Sequence, residues 1–237
     1  MKTIKDLAGA PAEMKRNIAR RIGLLVFFDC LIVLLLFASA GTVDWLYGWL
    51  YTLAFVLLQL SGAFFMPLDV ISERGSKKKE NVEPWDRTVT RLLLGAFLGI
   101  YLVAGLDFRW GWSGEMATVW HLGAAILFVL GGALEMWAMR VNRFFSTDVR
   151  IQFDRGHVVC SNGPYSFVRH PGYLGMILMY GVSPIFLGSL WALIPALITA
   201  ILFMIRTQLE DRTLQTKLPG YLAYAARVRF RLLPGVW

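Results

Sequence analysis

Six apolar stretches, at residues 22–40, 45–66, 88–106, 117–139, 171–187 and 189–205, divide the chain, and nearly all of its charged side chains fall between them. A helix needs about 20 apolar residues to cross the roughly 30 Å hydrocarbon layer of a bilayer. The first four stretches reach that length. The last two are shorter and only Gly188 separates them, which predicts a tight helical hairpin. At 57% hydrophobic residues, 17% charged residues and a mean hydropathy of +0.54, the chain carries more apolar surface than one soluble domain of 237 residues can bury. The expected fold is an all-α polytopic membrane protein of about six hydrophobic helices. Residues 1–139 hold four spans, and residues 140–237 hold the hairpin, a polar cytoplasmic flap and a C-terminal helix.

Charge placement tests that layout independently of hydropathy. Every Lys and Arg except Arg91, one turn inside the start of the third stretch, and Arg109 lies before the first stretch, between the second and third, between the fourth and fifth, or after the sixth. The positive-inside rule then puts both termini and all the basic segments on the cytoplasmic side of a multi-pass protein. A net charge of +8 could suggest nucleic acid, but the basic residues form no separate domain, so the bilayer is the expected partner. The nine Trp, eight Tyr and sixteen Phe suit helices anchored at two interfaces. The basic start followed by Ala38-Ser39-Ala40 has the outline of a cleaved leader, yet the long apolar run and the second span four residues later read as a retained membrane hairpin.

Two cysteines, Cys30 and Cys160, make neither a disulfide framework nor a metal-binding pair, and His121, His157 and His170 are too scattered for a metal site. The loop at residues 68–87, with its Lys77-Lys78-Lys79 run, reads as the least packed part of the chain and as a patch for anionic lipid. In the segment at 140–170, Val149, Ile151 and Phe153 alternate with polar residues before an Asp154-Arg155-Gly156 turn, which predicts a short β-hairpin or an extended flap. Asp29 and Glu135 fall inside apolar stretches, where a charge is costly and faces a cavity or a partner; Arg140 or water is within reach of Glu135.

The densest cluster of unlike residue types begins at Gln152. It continues through His157-Val158-Val159-Cys160, Gly163, Tyr165, Arg169-His170-Pro171-Gly172-Tyr173 and Gly175, and resumes after the next apolar stretch as Arg206 and Glu210-Asp211. This pattern resembles the isoprenylcysteine carboxyl methyltransferases and their bacterial relatives, and the likeness extends to Leu218-Pro219-Gly220-Tyr221 and the end of the chain. The resemblance implies S-adenosylmethionine bound on the cytoplasmic side and a lipophilic acceptor entering from the bilayer. It places Gln152, His157, Val158, Val159, Cys160, Tyr165, His170, Pro171, Gly172 and Tyr173 around the cofactor, with Glu210 on its amino group. Arg206, with Arg169, would hold the acceptor's anionic head, and Arg206 and Glu210 carry the chemistry. Asp211 stands where many relatives have a second Glu, and Cys160 where aliphatic residues are common.

The physical chemistry of these residues points the same way. Pro171 can open a helix without wasting a donor, so the free N–H groups of the first turn offer a seat for a carboxylate. A glutamate suits an ammonium, and the aromatic faces of Tyr165 and Tyr173 suit a sulfonium. No GxGxxG turn of a soluble nucleotide-binding fold occurs. Methyl transfer is a displacement that needs alignment and exclusion of water; an amine or thiol acceptor would also need a base, for which Glu210, Asp211 and His157 are candidates. Phospholipid N-methylation, thiol S-methylation, an NADPH-dependent sterol-type reductase and a non-catalytic membrane scaffold are the competing readings. Taken singly, Arg169-His170-Pro171 reads as an interfacial anchor, Arg206 as a snorkelling end residue, and Arg227, Arg229 and Arg231 as contacts to lipid headgroups. The compact design without a retention signal suits a bacterial inner membrane.

Overall fold

A computed structural model describes residues 4–77 and 80–237; Lys2, Lys78 and Lys79, counted above among the basic residues, lie outside them. Eight α-helices follow one another among the described residues: α1 (Ala12–Ala40), α2 (Leu46–Phe65), α3 (Leu68–Gly75), α4 (Pro84–Trp110), α5 (Thr118–Val141), α6 (Pro171–Leu187), α7 (Leu193–Lys217) and α8 (Tyr221–Arg227). The six predicted apolar stretches are α1, α2 and α4–α7. Of these, α1, α4, α5 and α7 are long and apolar enough to cross a bilayer, while α2 and α6 supply shorter apolar runs. The chain is an integral membrane protein.

Alternation through the bundle brings the N-terminal segment, α3, the 142–170 segment and the tail to one end. Arg109 and the turns after α1, α4 and α6 lie at the other. That opposite end is closed by Asp107 of α4, whose carboxylate accepts from the Ser113 N–H at 2.8 Å and from the Ser113 and Ser189 hydroxyls at 2.5 Å each. These bonds tie the end of α4 to the turn after α6, where Gly188 takes the left-handed conformation that ends the helix. Exposed Trp110, Trp112 and Trp191 cluster there as a girdle suited to an interface. Halfway down, the Tyr51 hydroxyl meets those of Tyr101 and Ser183 at 3.0 Å each, so α2, α4 and α6 satisfy one another's buried polar groups.

The closest helix pair is α5 with α6. A methyl group on Gly131 would lie 2.8 Å from the Gly175 carbonyl oxygen, and one on Gly175 would lie 2.5 Å from that of Gly131, so only glycine lets the two backbones approach this far. Helices α6 and α7 thus pack into the same bundle as α4 and α5.

Three expectations are corrected. The loop after α2 is not loosely packed throughout: residues 68–75 form α3, with Leu68 and Val70 buried, and a methyl group on Gly75 would strike the Asn17 carbonyl of α1 at 2.0 Å. Its polarity masked a helix two turns long that buries one face. The segment at 149–159 forms no hairpin. Only the isolated bridge between Val82 and Arg150 is strand-like, and a 3-10 turn covers Phe153–Arg155, because Phe153 has no facing strand and turns outward. The C-terminal helix expected beyond the hairpin is not separate from it: α7 runs on unbroken to Lys217, and only the short α8 follows.

Candidate active site

A buried aspartate, with buried Arg169 and half-buried Arg231 upon it, organises the polar end. Asp211, on α7, is wholly buried and accepts from Arg169 Nε at 2.8 Å and Nη2 at 2.9 Å. It also accepts from Arg231 Nε at 3.0 Å, from the Tyr221 hydroxyl at 2.9 Å and from Gln215 Nε2 at 2.7 Å. His170 Nε2 lies 3.3 Å away. Arg169 spends its remaining bonds on the carbonyls of Val228 and Arg229, and the N–H groups of Arg169 and His170 donate to the carbonyls of Phe230 and Arg231. The entry to α6 is therefore clasped to α7 and to the C-terminal strap. Arg231, expected on lipid headgroups, instead ties the strap to Asp211 and packs over Trp237.

The clasp fixes the start of α6, where Pro171 supplies the first helical residue and no side chain caps the end. The N–H groups of Gly172 and Tyr173 are the unpaired donors of that first turn. On the facing helix, Glu210 accepts from the Tyr173 hydroxyl at 2.5 Å. The His170 and Tyr173 rings lie parallel with centroids 5.8 Å apart.

Helix α7, the 142–170 segment and α8 enclose a cavity of about 80 Å³ around these groups. The structure brings to it Gln152, His157, Val159, Cys160, Tyr165, Arg169, His170, Gly172, Tyr173 and Glu210 of the residues singled out in the sequence. Three others stand outside its lining. Val158 is turned to solvent at 63% exposure, Pro171 is buried behind the wall, and Arg206 is reached only through Tyr173, whose ring lies 5.5 Å from the guanidinium. Arg206 donates to Asp86 of α4 from Nε at 2.8 Å and Nη2 at 3.2 Å, and to the Thr147 carbonyl at 2.8 Å. Asp86 also accepts the Val149 N–H at 2.9 Å, so this pair holds the start of the flap to α4 and α7.

Several lining residues set the shape of the cavity through bonds made behind it. Gln152 donates to the Phe144 carbonyl at 2.6 Å and accepts from Arg155 at 2.5 Å, so both ends of its amide are engaged. His157 stacks on Phe144 with centroids 4.5 Å apart, and its Nδ1 accepts the Gln152 N–H at 3.3 Å. Burial, reinforced by the nearby Arg150 and Arg155, holds this imidazole neutral with its pKa lowered to about 4. Burial likewise raises the Cys160 thiol and the Tyr165 phenol, so neither ionises readily. Phe144, Asn142 and Tyr224 line the cavity without having been singled out. The Asn142 amide donates to the Tyr165 hydroxyl at 3.3 Å, and the Tyr224 hydroxyl donates to the Tyr165 carbonyl at 2.7 Å. No spacing in the sequence marks these residues, although Tyr221 beside them belongs to the Leu218-Pro219-Gly220-Tyr221 run.

Residues 124–216, from early in α5 almost to the end of α7, match the model of the Isoprenylcysteine carboxyl methyltransferase (ICMT) family. This stretch is isoprenylcysteine carboxyl methyltransferase-like. No curated protein sequence matches the chain. The matched segment contains the flap, α6, Glu210 and Asp211 of the clasp. It leaves out α1–α4 and with them Asp86, the partner of Arg206. The ICMT-like segment also borders a second and larger space: the Phe145 ring lines the small cavity on one side and, on the other, lies 5.5 Å from the guanidinium of Arg74 at the edge of a chamber between the spanning helices.

Proposed function

We propose that the protein is an S-adenosylmethionine-dependent methyltransferase acting at the cytoplasmic membrane face on a lipophilic acceptor, most like the carboxyl O-methylation of isoprenylcysteines. The observation that carries this reading is the convergence on one cavity of the Glu210 carboxylate, the uncapped start of α6 and the faces of Phe144, Tyr165 and Tyr173. These groups fit an amino acid joined to a sulfonium and a nucleoside: an anion for the ammonium, helix N–H donors for the carboxylate, and aromatic faces for the cation and base. When bound, S-adenosylmethionine supplies an electrophilic methyl group on positively charged sulfur.

The chain's part is alignment and dryness. Glu210, oriented by the Tyr173 hydroxyl, receives the ammonium, and the Gly172 and Tyr173 N–H groups receive the carboxylate. Arg206, with its guanidinium taken up by Asp86 and the Thr147 carbonyl, acts as a positioning residue that backs the Tyr173 ring and holds the start of the flap. Arg169, with its guanidinium occupied by Asp211 and two carbonyls, acts as a positioning residue for the α6 entry instead of a contact to substrate. A carboxylate acceptor needs no base, and the His157 imidazole, with its pKa lowered to about 4, is too weak a base to serve an amine or thiol well. The basic end of the bundle faces the cytoplasm with both termini.

Equilibrium binding of radiolabelled S-adenosylmethionine and of NADPH to the purified protein in detergent tests the reading. S-Adenosylmethionine should bind, and Glu210→Gln should weaken it about tenfold or more by removing a charge-assisted contact while leaving the thermal midpoint unchanged. Binding of NADPH alone would replace the methyltransferase with a reductase; binding of neither would point to a scaffold.

A further inference from the structure

Between α1, α2, α4, α5 and α6 lies a chamber of about 380 Å³, far larger than the polar cavity and walled mostly by Leu, Ile, Phe and Met side chains. Along α1 its lining runs from Ile18 to Ile32, a rise of about 21 Å at about 1.5 Å per residue, longer than the ~15 Å depth of one leaflet. Its charged groups gather at the end nearest the flap. Arg21 of α1, Arg74 of α3 and Glu135 of α5 face it together and act on one another electrostatically. The one carboxylate does not balance the two guanidinium groups. Arg74 Nη1 is buried and has no hydrogen-bond partner among the described residues. Asp29 lies about 12 Å farther along α1 and is bonded by Gln59, so it does not neutralise this end. An excess positive charge with an unsatisfied donor, at the mouth of an apolar chamber inside a membrane protein, suits an anionic group.

We propose that this chamber binds a single-chain amphiphile with an anionic head, its head on Arg74 and Arg21 and its tail lying along α1 toward Ile32. The charge excess selects the anionic head over a neutral or cationic one, and the chamber's length and apolar walls select one extended hydrocarbon chain. Such a molecule could be the methyl acceptor or a resident bilayer lipid, which share this chemistry. The binding itself does not depend on the methyl-transfer reading. Phe145 forms the partition between this head site and the polar cavity, since a methyl group on Gly172 would strike its ring at 2.5 Å on one side while Arg74 stands over it on the other.

The test is equilibrium binding of radiolabelled hexadecanoate and of hexadecanol to the full-length protein in detergent. The acid should bind about tenfold tighter than the alcohol, in proportion to one or two charge-assisted hydrogen bonds. Arg74→Gln should abolish that preference. Gly62→Leu should weaken both probes, because Gly62 lines the chamber and a methyl group there meets only Met66 at 3.9 Å, so the larger side chain occupies the void without disturbing the helices. Equal affinity for acid and alcohol, or a preference that survives Arg74→Gln and Arg21→Gln together, overturns the proposal. Adding methyl-labelled S-adenosylmethionine to the loaded protein separates the two sources. Formation of methyl hexadecanoate identifies the chamber as the acceptor's, and recovery of unchanged acid identifies it as a lipid's; either result, following selective binding, upholds the anionic head site.

Discussion

The two cavities that meet at Phe145 are built on opposite terms. Around the small one, buried charge is matched bond for bond: Asp211 faces two arginines, a tyrosine and a glutamine, Asp86 holds Arg206, and Gln152 has both ends of its amide engaged. Around the large one, Arg74, Arg21 and Glu135 share an apolar space and Arg74 Nη1 has no partner among the described residues. A saturated network holds a fixed shape, and that is what alignment of a charged cofactor demands. An unsaturated one keeps its electrostatic attraction for a ligand. The saturated side lies mostly within the ICMT-like segment; the unsaturated side is supplied mostly by helices that precede it.

Breaking the clasp should give the largest effect. Asp211→Ala strands Arg169 and loosens Arg231, and loss of one partner from a buried ionic cluster costs about 3–5 kcal/mol. Thermal unfolding in detergent should show this as a large drop in midpoint, with loss of S-adenosylmethionine binding because the start of α6 is released. A drop smaller than that of a surface substitution would show that the strap, not the aspartate, holds the site.

Acid should probe the same side with an intermediate effect. The folded protein holds His157 at a pKa of about 4, whereas the unfolded chain titrates near 6.5. The unfolded state therefore takes up the proton first as pH falls. Stability is fully present above about pH 6.5, declines toward pH 4 and reaches its full loss below that. The gap corresponds to about 3 kcal/mol, which partial exposure of the ring reduces to the order of 2. His157→Phe keeps the stack on Phe144 and should flatten the profile between pH 6.5 and 4; an unchanged slope in that variant would assign the acid sensitivity to carboxylates instead.

The same division governs what could be read from the sequence. Apolar runs alone located all six long helices, α6 to the residue, because burial in lipid demands length and leaves a plain signal. Helix α3 was hidden, since two turns with Glu73 and Arg74 among them look like a loop until Glu73 is seen bonded to Arg150 at 3.1 Å. The alternation of Val149, Ile151 and Phe153 suggested a strand, but alternation specifies burial on one face and not a pairing partner. The cofactor-side residues sit close together in sequence at fixed spacings, so most of them were legible; Asp86 and Arg74 were not, because each meets its site from a helix far away along the chain. The segment also conceals roles: Arg169 and Asp211 stand inside the motif yet turn their charges on each other.

The smallest expected change has the opposite sign to the first. If the large chamber carries an unsatisfied charge for binding's sake, removing that charge should stabilise the ligand-free protein. Burial already pulls the Arg74 guanidinium below its usual range, with Glu135 only partly opposing it. Arg74→Met keeps most of the side-chain volume against Phe145 and removes the desolvated donor, so the thermal midpoint in a lipid-depleted preparation should rise by the equivalent of about 1 kcal/mol. Added hexadecanoate should then stabilise the natural protein and leave the variant unmoved, since a ligand stabilises only the state that binds it. A fall in midpoint for Arg74→Met would mean that Glu135 depends on Arg74 as Arg169 depends on Asp211, and the two cavities would then be built on the same terms.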